Sequence, residues 1–320
     1  MEECAASGAR GYAWQSPAAD RTVEEAVRGI GADVAALAVK GLAGVVLGGG
    51  YGRGEGGVMA DGGLSNDLDF FAIAEEGTGD GGAAAIGEAL RPLERKWSGA
   101  LGVDVEFMAK SPARLRHDGE RLMVQELVRG YRDTWGAPGE RLFSGIPRRG
   151  ARELPWTEAV RLLANRGAGL LLAREEGRGD DFVARNIAKC VLGAGDARLI
   201  ARGAYRWRAV DRAEALGDDG YRAALAWKFR PRTAPPCPWE EARTAWLAAA
   251  EEVRAAGWAG AGRSLRNAAR WVARRRSWGE WRTAGMDPVV RLFAVLEAEI
   301  RSGGERGLPS GARRDWEVFG

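Results

Sequence analysis

The pattern of apolar and polar positions changes character about half-way along the chain. Residues 20–39, DRTVEEAVRGIGADVAALAV, read as a helix, with Asp20 as its cap and Glu24 and Glu25 in the early turns, where the helix dipole favours acids. A short apolar run, GVVLG at 44–48, predicts a buried strand. Residues 49–66 are glycine-dense with interspersed charge and predict a loop. DLDFFAI at 67–73 predicts a second strand, EEGTGDGG at 75–82 a turn, and 83–97 a helix with Pro92 marking a boundary or kink. GVDVEFM at 102–108 alternates clearly and predicts a third strand. Helix, strand, loop, strand, helix, strand make an α/β module with a small sheet.

After Pro155 the period becomes helical: WTEAVRLLANRGAGLLLAREE is followed by a long pattern over 180–216 that Gly193 and Gly195 are expected to bend or split. RPRTAPPCPW at 230–239 cannot be helix and predicts a rigid linker. Three further amphipathic segments end the chain. The expected class is therefore α+β, with a small mixed-sheet domain over 1–150 followed by an all-α helical bundle over 151–320.

Composition narrows the chemistry. The chain has 320 residues, of which 46% are hydrophobic and 28% charged, enough for a proper core. It contains no apolar run of membrane-spanning length and opens without a basic, then apolar, leader, so no membrane association and a cytoplasmic location are expected. Its 3 cysteines are far apart in sequence and His117 is its 1 histidine, which argues against a Cys/His zinc site. His117 lies in a charged stretch and is expected to be a solvated surface imidazole. A net charge of +3 does not announce a nucleic-acid binder, although the basic residues are mostly arginine.

What remains is acidic. Side chains alternate along a strand, so Asp67 and Asp69 share one face while Leu68, Phe70 and Ala72 take the other. Adjacent carboxylates repel, and such a pair persists best with a cation between them; oxygen-only ligands suit Mg²⁺ or Mn²⁺. Asp104 and Glu106 repeat the arrangement on the third predicted strand. With the two strands as neighbours, three or four carboxylates would converge, enough to hold two divalent ions about 3.5–4 Å apart for an in-line phosphoryl displacement. Gly48, Gly49 and Gly50 allow a tight turn whose N–H groups can form an anion nest, and Arg53 adds a planar cationic donor.

In this order the motifs resemble the polymerase β-like nucleotidyltransferase superfamily, including its minimal and antibiotic-modifying members. Gly49-Gly50 match that family's turn, Arg53-Gly54-Glu55 its Arg-Gly-Glu segment, Asp67 and Asp69 its paired acids, and Asp104, as Val103-Asp104-Val105, its third acid, with Glu106 as the fallback. The resemblance covers roughly residues 20–110. It departs at Gly50, where serine is usual, and in the long glycine-rich stretch between Glu55 and Asp67. It implies catalytic Asp67, Asp69 and Asp104; metal ligands Asp67, Asp69, Asp104 and Glu106; and nucleotide contacts from Gly49, Gly50 and Arg53. Lys189, three residues from Asn186 on one helix face, is a further candidate for the triphosphate. The implied reaction takes an NTP with Mg²⁺ or Mn²⁺ and an acceptor, in the first instance a small molecule.

Other readings compete. An isolated Asp-x-Asp is usually the wet face of a strand, Arg53 is as readily a surface arginine, and Lys189 is more often ion-paired than a ligand. GRGEGG at 52–57 fits a dinucleotide fingerprint but lacks the long helix and distant acid, and no Walker A lysine follows. Trp271, Trp278 and Trp281 among the arginines of 263–282 suggest an RNA- or DNA-binding surface, with an amphipathic arginine-faced helix favoured over it. An RNA- or protein-modifying transferase and a non-catalytic, antitoxin-like nucleotide-binding module are the alternative functions.

Overall fold

A strand that is apolar on both faces has to be covered on both. Leu68–Ala74 (β2) is such a strand, interrupted only by Asp69. In the computed structural model, which describes residues 11–257, 287–305 and 307–319, it lies inside a four-stranded mixed sheet. Its companions are β1 (Leu42–Leu47), β3 (Val105–Lys110) and β4 (Arg132–Gly136), in the order β3-β2-β1-β4. β1 runs antiparallel to β2 and β4, and β2 runs parallel to β3.

The helices of this unit are α1 (Pro17–Leu37), α2 (Gly49–Gly52), α3 (Asp80–Leu101), α4 (Pro112–His117), α5 (Leu122–Leu127) and α6 (Gly139–Leu142). α1 and α3 cover one face of the sheet: Val23, Val27, Ile30 and Val34 from α1 and Ile86, Leu90 and Leu93 from α3 bury Leu68, Phe70, Ala72, Val105 and Phe107. The opposite face, with Val46, Phe71 and Ile73, packs under Leu115, Val124, Leu127 and Val128.

The structure moves several expected boundaries. Ser16, not Asp20, caps α1, while Asp20 accepts a hydrogen bond from the N–H of Ala13 at 2.7 Å. Pro92 does not end α3. The buried positions Ile86, Leu90 and Leu93 run through it, and their packing on the sheet outweighs the missing intrahelical bond. The third strand begins at Val105, so Asp104 lies just before it. Strand β4 escapes a reading by pattern because RDTWG is short, polar and only partly buried, as an edge strand can be.

The other edge, β3, is closed by α3. Val105 donates to Ser98 Oγ and Phe107 to Glu94 Oε1, both at 2.8 Å. The spacings agree: four residues of helix rise about 6 Å and two of strand about 6.6 Å. One helix thus buries a sheet face and satisfies the edge N–H groups.

The chain divides into two compact units, Met1–Arg149 with Phe229–Pro231, and Gly150–Lys228 with Arg232–Gly320. The second is helical among its described residues: α7 (Trp156–Leu172), α8 (Asp180–Ala201), α9 (Ala209–Leu216), α10 (Asp219–Phe229), α11 (Trp239–Gly257), α12 (Pro288–Arg301) and α13 (Ser310–Phe319). Trp246, fully buried, donates to the carbonyl of Leu163 at 2.9 Å and packs on Phe293. The long pattern breaks after Ala201, not at Gly193 and Gly195. Those glycines lie inside α8, where a Cβ would overlap Arg166 and Tyr221 respectively, so they serve close packing. Residues 230–238 are irregular, as their prolines require, and Trp239 already opens α11. The arginine- and tryptophan-rich stretch 263–282 lies outside the described residues.

Glu94→Ala, which orphans the Phe107 N–H, is expected to lower stability by about 1–2 kcal/mol in chemical denaturation, with Glu94→Gln retaining most of it.

Candidate active site at the start of β2

The glycine turn is built against Asp69. β1 ends at Leu47, and the Gly48 N–H donates to the carbonyl of Asp69 at 2.8 Å. Gly49 has φ +60°, and a Cβ there would overlap the Asp69 carboxylate, so only glycine fits. Gly50 is different: the nearest atom to a Cβ would be the Glu55 carbonyl oxygen at 3.6 Å, an ordinary contact. The N–H groups of Gly49, Gly50 and Tyr51 have no backbone carbonyl as partner among the described residues, as the first turn of a helix leaves them.

The acids gather where β2 and β3 begin. The parallel register sets Asp69 opposite Glu106 and Leu68 opposite Val105. Neighbouring strands lie about 4.8 Å apart, so the two carboxylates rise side by side from one face. The Asp104 carbonyl accepts from the Leu68 N–H at 2.9 Å. Asp67 and Asp69 are half-buried, Asp104 and Glu106 exposed. Partial burial of the carboxyl, then the negative charges of Asp67, Asp104 and Glu94, hold Glu106 above the ordinary glutamate range.

Among the described residues, no three His, Cys, Asp or Glu side chains already stand as a metal cage. The donor set nevertheless suits a hard cation. Mg²⁺ takes one or two protein carboxylates and completes its shell with water and substrate phosphate, so a finished cage is not required.

The long segment between Glu55 and Asp67 is tied down. Gly56 bridges to Ala13, and Val58 to Leu64. Val58 donates to the carbonyl of Phe229 at 2.9 Å, and Trp14 stacks on that phenylalanine with centroids 4.3 Å apart. The Gly57 N–H donates to Asn66 Oδ1 at 2.7 Å, and the buried Tyr51 hydroxyl donates to the Gly57 carbonyl at 2.8 Å. Only the tip, Met59–Gly63, is exposed.

Arg53 is committed within this framework. Its guanidinium meets Glu55 at 3.5 Å and Glu126 of α5 at 3.3 Å, and its side chain is 17% exposed. Glu55 itself is buried. Gly130 leaves room for the arginine, since a Cβ there would overlap it. Sequence reasoning missed Glu126, Tyr51 and Asn66, because each acts across a distance the primary order does not show.

The remaining candidates lie elsewhere. Lys189 and Asn186 are half-buried on α8 of the second unit; Asn186 donates to the Phe182 carbonyl at 2.9 Å and fills the space left by Gly169. Asp196 pairs with the buried Arg212 at 2.9 Å and accepts from Tyr221 at 2.7 Å. Cys190 is fully buried and His117 exposed at the end of α4. No described helix is long and apolar enough to cross a membrane. Comparisons of the chain with models of known families, with curated proteins and with solved structures gave no match in any of the three.

Two expectations follow from this geometry. Gly49→Ala should cost about 1–2 kcal/mol from the left-handed backbone alone, and more from displacing Asp69, whereas Gly50→Ala should leave the melting temperature nearly unchanged. Glu106 binds its proton more tightly folded than unfolded, so its contribution to stability falls as pH rises through the glutamate range. Glu106→Gln should therefore raise the metal-free melting temperature slightly at neutral pH. The difference should vanish below about pH 4, where both states are protonated.

Proposed function

We propose that the protein is a metal-dependent nucleotidyltransferase. It transfers a nucleoside monophosphate from an NTP to an acceptor hydroxyl or phosphate, on a small molecule, and releases pyrophosphate. The observation that carries this reading is the register of β2 with β3, which sets Glu106 beside Asp69, with Asp67 close by and the glycine turn pressed on Asp69.

The β- and γ-phosphates are cradled by the N–H groups of the turn at Gly49 and Gly50, where no side chain blocks approach. Asp67, Asp69 and Glu106 would hold Mg²⁺ or Mn²⁺, which supplies charge neutralisation at the triphosphate and at the attacking oxygen. The acceptor oxygen forms a new bond to the α-phosphorus as the bond from that phosphorus to the β-bridging oxygen breaks, and pyrophosphate leaves. Glu106 takes the acceptor's proton as general base. The register that sets Glu106 beside Asp69 supports it as the third acid, and Asp104, to which the family resemblance points first, adds its exposed carboxylate just before β3. Arg53 orients the turn through Glu55 and Glu126.

The test is pyrophosphate release from each of the four NTPs with Mg²⁺ or Mn²⁺, following labelled α-phosphate into a small-molecule pool. Transfer should disappear in Asp67→Asn/Asp69→Asn and fall about 10²–10⁴-fold in Glu106→Gln, with a smaller loss in Asp104→Asn. NTP binding that ignores both the metal and these substitutions would sink the reading.

A further inference from the structure

Tyr51 stands between the two halves of this site. It belongs to the glycine turn, directly after Gly50, and is fully buried. Its hydroxyl donates to the carbonyl of Gly57 at 2.8 Å and accepts from the N–H of Ser65 at 3.2 Å. Asn66, beside it, accepts from the Gly57 N–H at 2.7 Å. Asp67 follows immediately. The ring is seated under Gly56, where a Cβ would overlap it.

One phenol oxygen thus pins both ends of the loop from Gly57 to Ser65, and the anchor of that oxygen is the turn itself. The loop is also closed on itself by the Val58–Leu64 bridge and by the Ser65 N–H to the Gly57 carbonyl at 3.3 Å, so the phenol oxygen is the side-chain link that ties this closed loop, and Asp67 after it, to the turn. A buried tyrosine hydroxyl with partners on both sides is a rigid spacer, because its single O–H is used once as donor and its oxygen once as acceptor.

The geometry points to Tyr51 as the positioning residue that fixes the Asp67 carboxylate relative to the phosphate turn. It touches neither substrate nor metal, and acts by ordering the backbone that carries Asp67. This inference rests on the proposed metal-dependent reading of Asp67 and Asp69.

The test uses the whole chain and Mn²⁺ alone, with free Mn²⁺ followed by electron paramagnetic resonance. Tyr51→Phe should weaken Mn²⁺ binding about tenfold or more, the effect of losing a group that orients a ligand. Tyr221→Phe, which removes another buried and hydrogen-bonded tyrosine hydroxyl in the helical unit, should destabilise the protein without moving the affinity. A second measurement needs no variant: Mn²⁺ should slow amide exchange in wild type over residues 57–66, since coupling between ion and clamp is reciprocal.

Equal affinity in wild type and Tyr51→Phe, equal weakening in Tyr51→Phe and Tyr221→Phe, or unchanged exchange over 57–66 when Mn²⁺ is bound would each overturn the role of Tyr51 alone. Absence of Mn²⁺ binding by wild type would overturn the metal-dependent reading and this inference together. If Tyr51→Phe fails to fold, the wild-type exchange experiment decides.

Discussion

Asp69 is a charge on a strand that is otherwise apolar and enclosed on both sides, and the first unit is arranged around where that charge can go. Leu68, Phe70 and Ala72 face the core under α1 and α3; Phe71 and Ile73 face the smaller core under α4 and α5. An ionised carboxylate buried in either core would carry a penalty of several kcal/mol. At the start of β2, on the second face, Asp69 instead lies at the margin of the apolar cover, against a turn with no side chain of its own. Gly49 is required there for two separate reasons, its left-handed backbone and the nearness of the carboxylate. The parallel pairing with β3 then brings a second acid alongside, Glu106, which desolvation and the charges of Asp67, Asp104 and Glu94 hold above the ordinary glutamate range.

The glycines between β1 and β2 serve contact more than motion. Gly52 lies close against the Leu47 carbonyl, Gly56 under the Tyr51 ring, and Gly130, from another segment, beside Arg53. A segment rich in glycine loses much conformational entropy on ordering. Here that cost is offset by hydrogen bonds from Tyr51 and Asn66, by two isolated bridges, and by the stacking of Trp14 on Phe229.

Arginine is used in the helical unit as internal cement. Arg212 joins Asp196, Tyr221 and the carbonyls of Arg206 and Trp207, and Arg291 meets Asp315 with both side chains buried. Arg243 donates to the carbonyls of Ile300 and Arg301 at the end of α12. Such buried pairs are costly to break more than they are stabilising to make, because removing one partner strands the other. These arginines are spent on carboxylates and on backbone carbonyls.

How much of this was legible from the residues depends on range. The apolar stripe of α1, the LDFFAI strand, the VDVE alternation and the change to helical period after Pro155 are local properties of period and side-chain volume, and they set the elements and the α+β class. The Asp-x-Asp pair was legible as a motif, but β2 begins at Leu68, so only Asp69 of the two lies on the strand. Edge strand β4 was not legible, because its polarity is permitted only by its place in the sheet. Nor was the passage of α3 through Pro92, which packing on the sheet decides. The third acid was the sharpest case. Spacing along the chain treated Asp104 and Glu106 as equivalent, and family resemblance chose Asp104. Strand register set Glu106 opposite Asp69 and left Asp104 just before β3, because register is fixed by how two buried strands interlock, and that interlock exists only once the sheet has formed.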